Sequence, residues 1–426
     1  MNLLSVIVSV LMQQPAPPGL PAAQLAPPAQ KAPAEAKAAA PLPKWHLFGE
    51  TRAWAEQRGG AVFGRERDVD TVLIRNRLGI EVRPKTWLKI GAMVQDTRAP
   101  HYQRARPGTA QDPTDLHEAY VEINPEAKRG WGAVAGRKRL SLGEQHVIGV
   151  PEWGNSGRTY DLAQLDYRRQ SMRLRLLFVS AVKFQPERFN VPVLGDRLWG
   201  VYYELPKAIT KGVLDLYLLR HDQNVPGGFR GAGRLGSSNL GTRVQVPVGK
   251  AWRLSTETIG QTGTRGLGQQ RALGTISSVS RRFGWHESQG VVEYKFASPD
   301  FDQLYPAHHN RLGHSDLIYL RNVHSIQPQW KVALGRHTRL NAMYTANWLV
   351  DATQPLYGFT GTSIGRDARG QSGRFAGQEY ALFSTHSIGH WQLGLGYAYW
   401  KAGEFVRKQT PGASPHYVYL HMGFTF

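Results

Sequence analysis

Apolar residues recur at every second position in stretches of ten to thirteen residues, and this alternation constrains the fold more than any other feature of the sequence. In residues 71–82 the aliphatic side chains share one face and the charged side chains share the other: Val72, Ile74, Leu78, Ile80 and Val82 against Arg75, Arg77 and Glu81. A period of two predicts β-strands. Strands of soluble sandwiches usually have about five or six residues, whereas a strand that crosses a membrane at a tilt needs about nine to eleven. The alternation therefore predicts transmembrane strands.

The connections between these stretches alternate in length along the chain. Short connections such as 169–171 follow long ones such as 141–158, and the segment 263–269 belongs to the long class. Outer-membrane barrels combine short periplasmic turns with longer outer loops. We therefore predict an all-β protein, a transmembrane antiparallel β-barrel of about 18 strands with both termini in the periplasm. Residues 316–334 fit either one long strand after a loop or two short strands, which leaves the count open.

The last stretch, His416 to Phe426, ends the chain on an aromatic residue that shares a face with Val418, Leu420, Met422 and Phe424. This pattern resembles the end signature of bacterial outer-membrane barrels, which the barrel assembly machinery reads. It predicts the Gram-negative outer membrane as the location and Phe426 as a contact for that machinery.

The first 43 residues differ in composition from the rest. Residues 1–14 contain the apolar run LLSVIVSVLM and are predicted to be a signal peptide, although no basic residue precedes the run. Twenty of the 29 residues from Pro15 to Pro43 are Pro or Ala, which predicts a disordered, extended linker. The barrel is predicted to occupy residues 44–426.

Basic residues exceed acidic ones by 52 to 32, giving a formal charge of +20, and there is no cysteine. An arginine that faces lipid near the bilayer midplane costs about 2–4 kcal/mol, so strand arginines are expected to face the lumen. By alternation we assign Arg75, Arg77, Lys89, Arg173, Arg175, Arg243, Arg253 and Arg339 to the lumen, with the carboxylates Glu118, Glu122, Asp215, Glu257 and Glu293. For Arg137 and its neighbour Lys138 the alternation does not decide.

A lumen enclosed by about 18 strands is too wide for side chains alone to fill, so it is a pore unless something plugs it. Arginines that line a pore attract anions and disfavour cations, and a guanidinium group binds a carboxylate through two parallel hydrogen bonds. Two alternatives assign the arginines to pairs with glutamates that brace the wall, or to loops that contact lipopolysaccharide phosphates.

Five stretches, in this order, resemble the alginate-export family of outer-membrane barrels: RNRLGIEVRPKTWLKIGAMVQDTR (75–98), DLHEAYVEI (115–123), GRKRLSLGEQHVIG (136–149), EWGNSGRTYD (152–161) and FDQLYPAHH (301–309). The resemblance implies an 18-stranded barrel with an electropositive lumen and a polyuronate path. By motif match it also implies lumen or constriction roles for Arg75, Arg77, Asp96, Arg98, Arg137 and Arg158. The family often has Arg at the position of His146.

The leading functional hypothesis is passive export of an anionic polysaccharide such as an alginate-like polyuronate. An uptake porin for small anions and a surface adhesion barrel remain alternatives. The expected partners are the anionic polymer or small anions, outer-membrane lipid and lipopolysaccharide, the assembly machinery and possible periplasmic export proteins. We predict no catalytic residues, cofactor or nucleic-acid partner, and no metal site, although His308, His309 and His314 lie near several aspartates.

Overall fold

The computed structural model describes residues 44–102, 109–126, 129–206, 208–209, 211–224 and 234–426. Its architecture is one large sheet of 18 long strands. The strands are β1 (Trp45–Gly59), β2 (Val69–Lys85), β3 (Leu88–Tyr102), β4 (Asp112–Ile123), β5 (Gly130–Lys138), β6 (Tyr160–Arg169), β7 (Met172–Lys183), β8 (Asp196–Pro206), β9 (Val213–Gln223), β10 (Leu235–Val248), β11 (Trp252–Arg265), β12 (Gly268–Arg282), β13 (Gln289–Ala297), β14 (Val323–Leu334), β15 (Thr338–Leu349), β16 (Phe375–Ile388), β17 (Trp391–Ala402) and β18 (His416–Thr425).

Each strand pairs in antiparallel fashion with its neighbours in sequence, and the sheet closes on itself. β1 pairs with β18 from Glu50 opposite Thr425 to Gly59 opposite His416. The region that left the count open forms a single strand, β14, preceded by a loop. The predicted all-β, closed antiparallel barrel of 18 strands is therefore confirmed.

The two ends of the barrel differ in the length of their connections. We call the end with the short turns the turn end; it also holds the start of β1 and Phe426, whose backbone exchanges two hydrogen bonds with Gly49. The opposite end is the loop end. One predicted long loop is wrong: β11 and β12 extend to Arg265 and Gly268, so their connection is a tight hairpin. Gly266 there adopts a φ of 59°, a left-handed conformation that glycine tolerates without steric cost.

Successive side chains point to opposite faces of the wall, as the alternation requires. On β2, Leu78 is 54% exposed on the outer face while Arg77 is 5% exposed on the inner face. On β4 the register shifts between the partners of Met93 and Val94, so both His117 and Glu118 are buried inside. This bulge adds one residue to the strand and changes the alternation at that point.

Helical structure is limited to the short segments Ala61–Gly64, Trp285–Glu287 and Glu404–Gln409 within the described residues. None of the helices in this part of the chain is long and apolar enough to cross a membrane. The predicted signal peptide (1–14) and the predicted linker (15–43) lie outside the described residues.

Candidate channel lumen

Two of the long loops at the loop end fold back into the barrel. Loop A (139–159) joins β5 to β6, and loop B (298–322) joins β13 to β14. The loops are joined by a short parallel bridge between Ile148 and Tyr305. The amide of Gly149 donates to the carbonyl of Tyr305 at 2.8 Å, and the amide of Tyr305 donates to the carbonyl of Val147 at 2.9 Å. The two loops thus form one structural unit inside the wall.

Apolar side chains of both loops pack against the inner face of the wall. Ile148 and Phe301 lie in one buried cluster with the inward-facing wall residues Leu219 and Ile276. Phe301 covers Gly274 so closely that a Cβ added there would lie 2.4 Å from its ring. The loop end of the lumen therefore contains a packed hydrophobic core, and loops A and B narrow the interior. Apart from apolar residues such as Ile148 and Phe301, nothing in the sequence of these loops predicts that they turn inward.

Arg75 and Arg77 extend from β2 into the barrel, and both are bound to carboxylates. Arg75 Nε donates to Glu50 of β1 at 2.7 Å, and Arg77 Nη1 donates to Glu152 of loop A at 2.6 Å. Glu152 also lies 3.3 Å from Arg75. The two arginines therefore connect loop A to the wall of the barrel.

The protonation of Glu152 follows from its neighbours. Burial raises the pKa of Glu152, but the positive charges of Arg77, Arg75 and Arg139 outweigh this effect and hold the pKa well below its usual range. The carboxylate is consequently ionised at neutral pH, which maintains its attraction to the arginines.

Most other interior cations also face a carboxylate. These pairs, with the shortest distance between charged atoms, are Lys89–Glu122 (2.8 Å), Lys138–Glu122 (2.9 Å), Arg139–Glu118 (3.2 Å), Arg173–Asp166 (2.6 Å), Arg175–Glu204 (2.8 Å), Arg243–Asp215 (2.6 Å) and Lys295–Glu293 (2.7 Å). Such pairs favour the wall-bracing alternative for these particular residues, because each charge is largely neutralised within the wall.

Three interior arginines bind backbone carbonyls instead. Arg52 donates to the carbonyls of Glu152 and Gly154 at 2.9 and 3.0 Å. Arg158 of loop A donates to Pro306 of loop B at 3.0 Å. The third of these arginines is Arg311 of loop B. Among the described residues, no carboxylate oxygen lies within 4.0 Å of any of the three. Their positive charge is thus less fully neutralised than that of the paired cations.

Arg311 completes this group from loop B. Its Nη2 donates to the carbonyl of Glu144 in loop A at 2.7 Å, while its Nε donates to Ala307 within loop B. Arg158 and Arg311 therefore cross the junction of the two loops in opposite directions.

Two predicted lumen residues lie at the turn end, where they are exposed. Arg253 faces inward, but it is only the second residue of β11 and lies beside the turn. Arg339 contacts Glu287, a residue of the β12–β13 turn, at 3.3 Å. Both belong to the rim of the barrel opening and not to its narrowed part.

Three residues carried over from the motif resemblance lie on the outer face, which corrects their predicted place in the lumen. Asp96 and Arg98 alternate on β3 with the buried inward residues Gln95 and Thr97, and they pair with each other at 2.6 Å. Motif similarity identifies the strand but does not determine which face a residue occupies. On β3, the alternation of exposed and buried residues determines the face.

The third correction is Arg137. Its guanidinium binds Asp161 on the outer face at 2.7 Å. The neighbouring Lys138 points inward to Glu122 and lies 3.6 Å from the centre of the Tyr120 ring. Adjacent strand residues face opposite sides, so only one of the two occupies the lumen, and it is Lys138.

Histidines also attach the two loops to the wall. His146 of loop A lies 2.8 Å from Glu257, which accepts a second hydrogen bond from Tyr217 at 2.7 Å. His221 of β9 lies 2.8 Å from Asp302 of loop B and 2.8 Å from Asp196. Glu257 therefore lies inside the barrel, where it anchors loop A to the wall.

The loop histidines considered as metal ligands have other contacts. His309 lies 2.8 Å from Asp316 and stacks on Trp153 with a centroid distance of 3.7 Å. His314 stacks on Phe383 at 4.1 Å. The described residues contain no group of three or more potential ligands arranged to hold a metal ion.

The alternation of the sequence did not identify Glu50, Arg52, Glu152 or the loop B residue Arg311. Glu50 and Arg52 lie on the inward face of β1, where they alternate with Thr51 and Ala53, so the alternation of that strand does carry a signal for them. Glu152 lies in a loop, where alternation carries no information. Its only signal was membership in the EWGNSGRTYD motif.

Residues 47–419 match the family model described as alginate export. A search of curated proteins found no match.

Solved barrels from Pseudomonas aeruginosa are similar in fold. OpdQ aligns with a TM-score of 0.62 at 12% identity, covering 90% of this chain and 99% of that chain. OpdK with vanillate has a TM-score of 0.62 at 10% identity, with coverage of 90% and 98%. OccK11 (OpdR) has a TM-score of 0.60 at 10% identity, with coverage of 90% and 96%. At these identities the similarity shows a shared fold.

Proposed function

The chain belongs to the alginate-export family, and on that basis we propose that it exports an anionic, alginate-like polysaccharide by passive passage through its lumen. Family membership over residues 47–419 and the closed barrel indicate an outer-membrane channel of a Gram-negative bacterium. The identity of the polymer and the direction of transport are the further steps that we propose.

The observation that carries the proposal is the position of Arg158 and Arg311 at the junction of loops A and B. Both guanidinium groups bind backbone carbonyls across the junction, at 3.0 and 2.7 Å. Because a carbonyl carries no formal charge, these contacts do not neutralise the two arginines where the interior is narrowed. A uronate carboxylate has the geometry to bind a guanidinium group through two hydrogen bonds. Several weak sites of this kind let a charged chain move without being trapped.

The lumen pairs serve a different purpose in this proposal. Arg75, Arg77 and Glu152 hold loop A against the wall, whereas Arg52, Arg158 and Arg311 supply the excess positive charge. The outer-face residues Asp96, Arg98 and Arg137 take no part. We place the turn end in the periplasm, where the exposed Phe426 meets the assembly machinery and periplasmic export partners reach the lumen. The loop end then faces outward, beside lipopolysaccharide.

Uptake of small anions is the second candidate. It is favoured by one observation, the similar barrel of OpdK, whose structure contains vanillate. Vanillate is a small carboxylate, and the same arginines would attract such a solute.

Planar-bilayer recordings with uronate oligomers distinguish the two candidates. We expect a six-residue mannuronate oligomer to interrupt the current, while the neutral maltohexaose does not. The double variant Arg158→Gln/Arg311→Gln should weaken the interruption about tenfold or more, and Arg169→Gln, an exposed outward arginine of the turn end, should leave it unchanged. A benzoate current without interruption by the oligomer would reject polymer export in favour of small-anion uptake.

A further inference from the structure

An apolar groove crosses the outer face of the barrel wall from β11 to β17. It encloses about 750 Å³. Its main residues occupy a single cross-strand row, each directly opposite the next: Trp252, Arg281, Gly290, Trp330, Ala342, Leu382 and Tyr397. A row that crosses seven strands forms a continuous path along the wall.

Small residues create the depression in this row. Gly290 and Ala342 lie on either side of Trp330, so the wall is thin where the indole ring leans over Gly290. A Cβ added at Gly290 would lie 3.2 Å from that ring. Beside the row, Gln327 and Pro328 of β14 have no paired residue on β15. The pairing is interrupted there because proline has no N–H to donate. The groove is thus built into the sequence of several strands.

The groove spans about one leaflet of a bilayer. It begins at Trp252, the first residue of β11, and ends at Tyr397, six residues into β17 from Trp391. At about 3.3 Å per residue and a strand tilt near 45°, six residues rise roughly 14 Å. The hydrocarbon core of a bilayer is about 30 Å thick, so the groove extends from the turn end to about mid-membrane.

A cation lies at the turn end of the groove. The guanidinium of Arg281 is 5.1 Å from the centre of the Trp252 ring and 4.9 Å from that of Phe283. Within the described parts of the chain, no carboxylate oxygen lies within 4.0 Å of it. Aromatic rings of barrels lie at the level of lipid headgroups, so this unpaired positive charge is held at the depth of lipid phosphates.

We propose that this groove binds one glycerophospholipid, with its phosphate on Arg281 and one acyl chain along Gly290, Pro328 and Ala342. The charge of Arg281 complements the phosphate, and the apolar floor matches a chain that reaches the bilayer centre. A second copy of the barrel is a poorer occupant, since it would bury Arg281 without a partner. Lipid A is excluded by the placement of the turn end in the periplasm, because lipid A lies in the opposite leaflet.

Native mass spectrometry of the full chain in mild detergent tests the site. The protein is titrated with palmitoyl-oleoyl phosphatidylglycerol, with a diacylglycerol of the same chains, and with lipid A. The variants are Arg281→Gln, which removes the phosphate partner, and Ala342→Leu, which fills the groove. Arg169→Gln and Ala135→Leu are matched controls, since both positions are exposed on the outer face of other strands. Heat-modifiable gel migration verifies that every variant forms a barrel.

We expect one phosphatidylglycerol per barrel in the wild type, no retention of the diacylglycerol, and about tenfold weaker phosphatidylglycerol binding in both groove variants. The controls should bind as the wild type does. Equal binding by the groove variants and the controls would overturn the proposal. So would preferential retention of lipid A, or a dimer that Ala342→Leu dissociates.

Discussion

Glu152 of loop A lies 2.6 Å from the guanidinium of Arg77 and 3.3 Å from that of Arg75, so one loop carboxylate joins the loop to two neighbouring arginines of the wall. Glu50 of β1 also contacts both arginines, and it is the nearer carboxylate for Arg75, whereas Glu152 is the nearer one for Arg77. The closest carboxylate partner of Arg77 is therefore a loop residue 75 positions further along the chain.

Replacing Glu152 by Gln should destabilise the barrel and free loop A. Loss of one member of a buried ion pair costs about 3–5 kcal/mol, but the Glu152 side chain is 34% exposed. We therefore expect a loss of about 1–3 kcal/mol in the free energy of unfolding, reduced by solvent screening. Urea titration in lipid vesicles, followed by tryptophan fluorescence, measures it, and the single-channel current should become noisier.

The matched control is Glu126→Gln, which removes the partner of Arg83 at the turn end. Its effect should remain within about 0.5 kcal/mol. An equal loss in both variants would show that Glu152 does not hold the loop.

The contribution of Glu152 should persist in mildly acidic solution. Its pKa in the folded protein lies below the ordinary value because Arg77, Arg75 and Arg139 outweigh the effect of burial. A carboxylate with a depressed folded pKa stabilises the fold fully above the unfolded pKa of about 4.3 and loses that contribution as the pH falls through the folded value. The stability difference between wild type and Glu152→Gln should be constant from pH 7.5 to 5.5 and shrink below about pH 4. Disappearance of the difference already at pH 6 would contradict this assignment.

Two adjacent residues test the orientation of β5. Lys138→Gln removes an inward charge and should reduce the anion selectivity of the channel, with the largest change at low salt, where screening is weak. Arg137→Gln removes the same charge from the outer face, where it pairs with Asp161, and should leave the reversal potential unchanged. The opposite ranking would return Arg137 to the lumen.

His146→Ala should loosen the attachment of loop A to β11. The substitution leaves Glu257 with Tyr217 as its remaining hydrogen-bond partner, and an unsatisfied buried acceptor costs about 1–3 kcal/mol. Hydrogen exchange of the loop A amides should increase. His390→Ala, at an exposed turn between β16 and β17, is the control and should leave loop A unchanged. Unaltered exchange in His146→Ala would mean that the histidine is not an anchor.

The alternation of the sequence determined the strand faces because a strand has only two faces and lipid excludes charge from one of them. Arg75, Arg77, Arg175 and Arg243 accordingly point inward and are buried. Motif similarity placed Asp96, Arg98 and Arg137 in the lumen wrongly, since a motif does not specify a face.

Loops carry no such periodic constraint. Nothing in residues 139–159 or 298–322 distinguishes a loop that extends into solvent from one that folds inward, apart from apolar residues such as Ile148 and Phe301. The ion pair of Arg77 depends on Glu152 of loop A, and that contact is a product of tertiary folding. The residues that line the lumen could therefore be predicted for each strand, whereas the loops that fold into the lumen could not.

In the proposed function, the interior of the barrel carries an excess of positive charge that is available to anions. The most direct test is the reversal potential of the purified wild-type channel in a planar bilayer under a tenfold KCl gradient at low ionic strength. We predict a potential of the sign that marks chloride as the more permeant ion, decreasing as salt increases. A potential that marks potassium as the more permeant ion would show that the interior carries no such excess of positive charge.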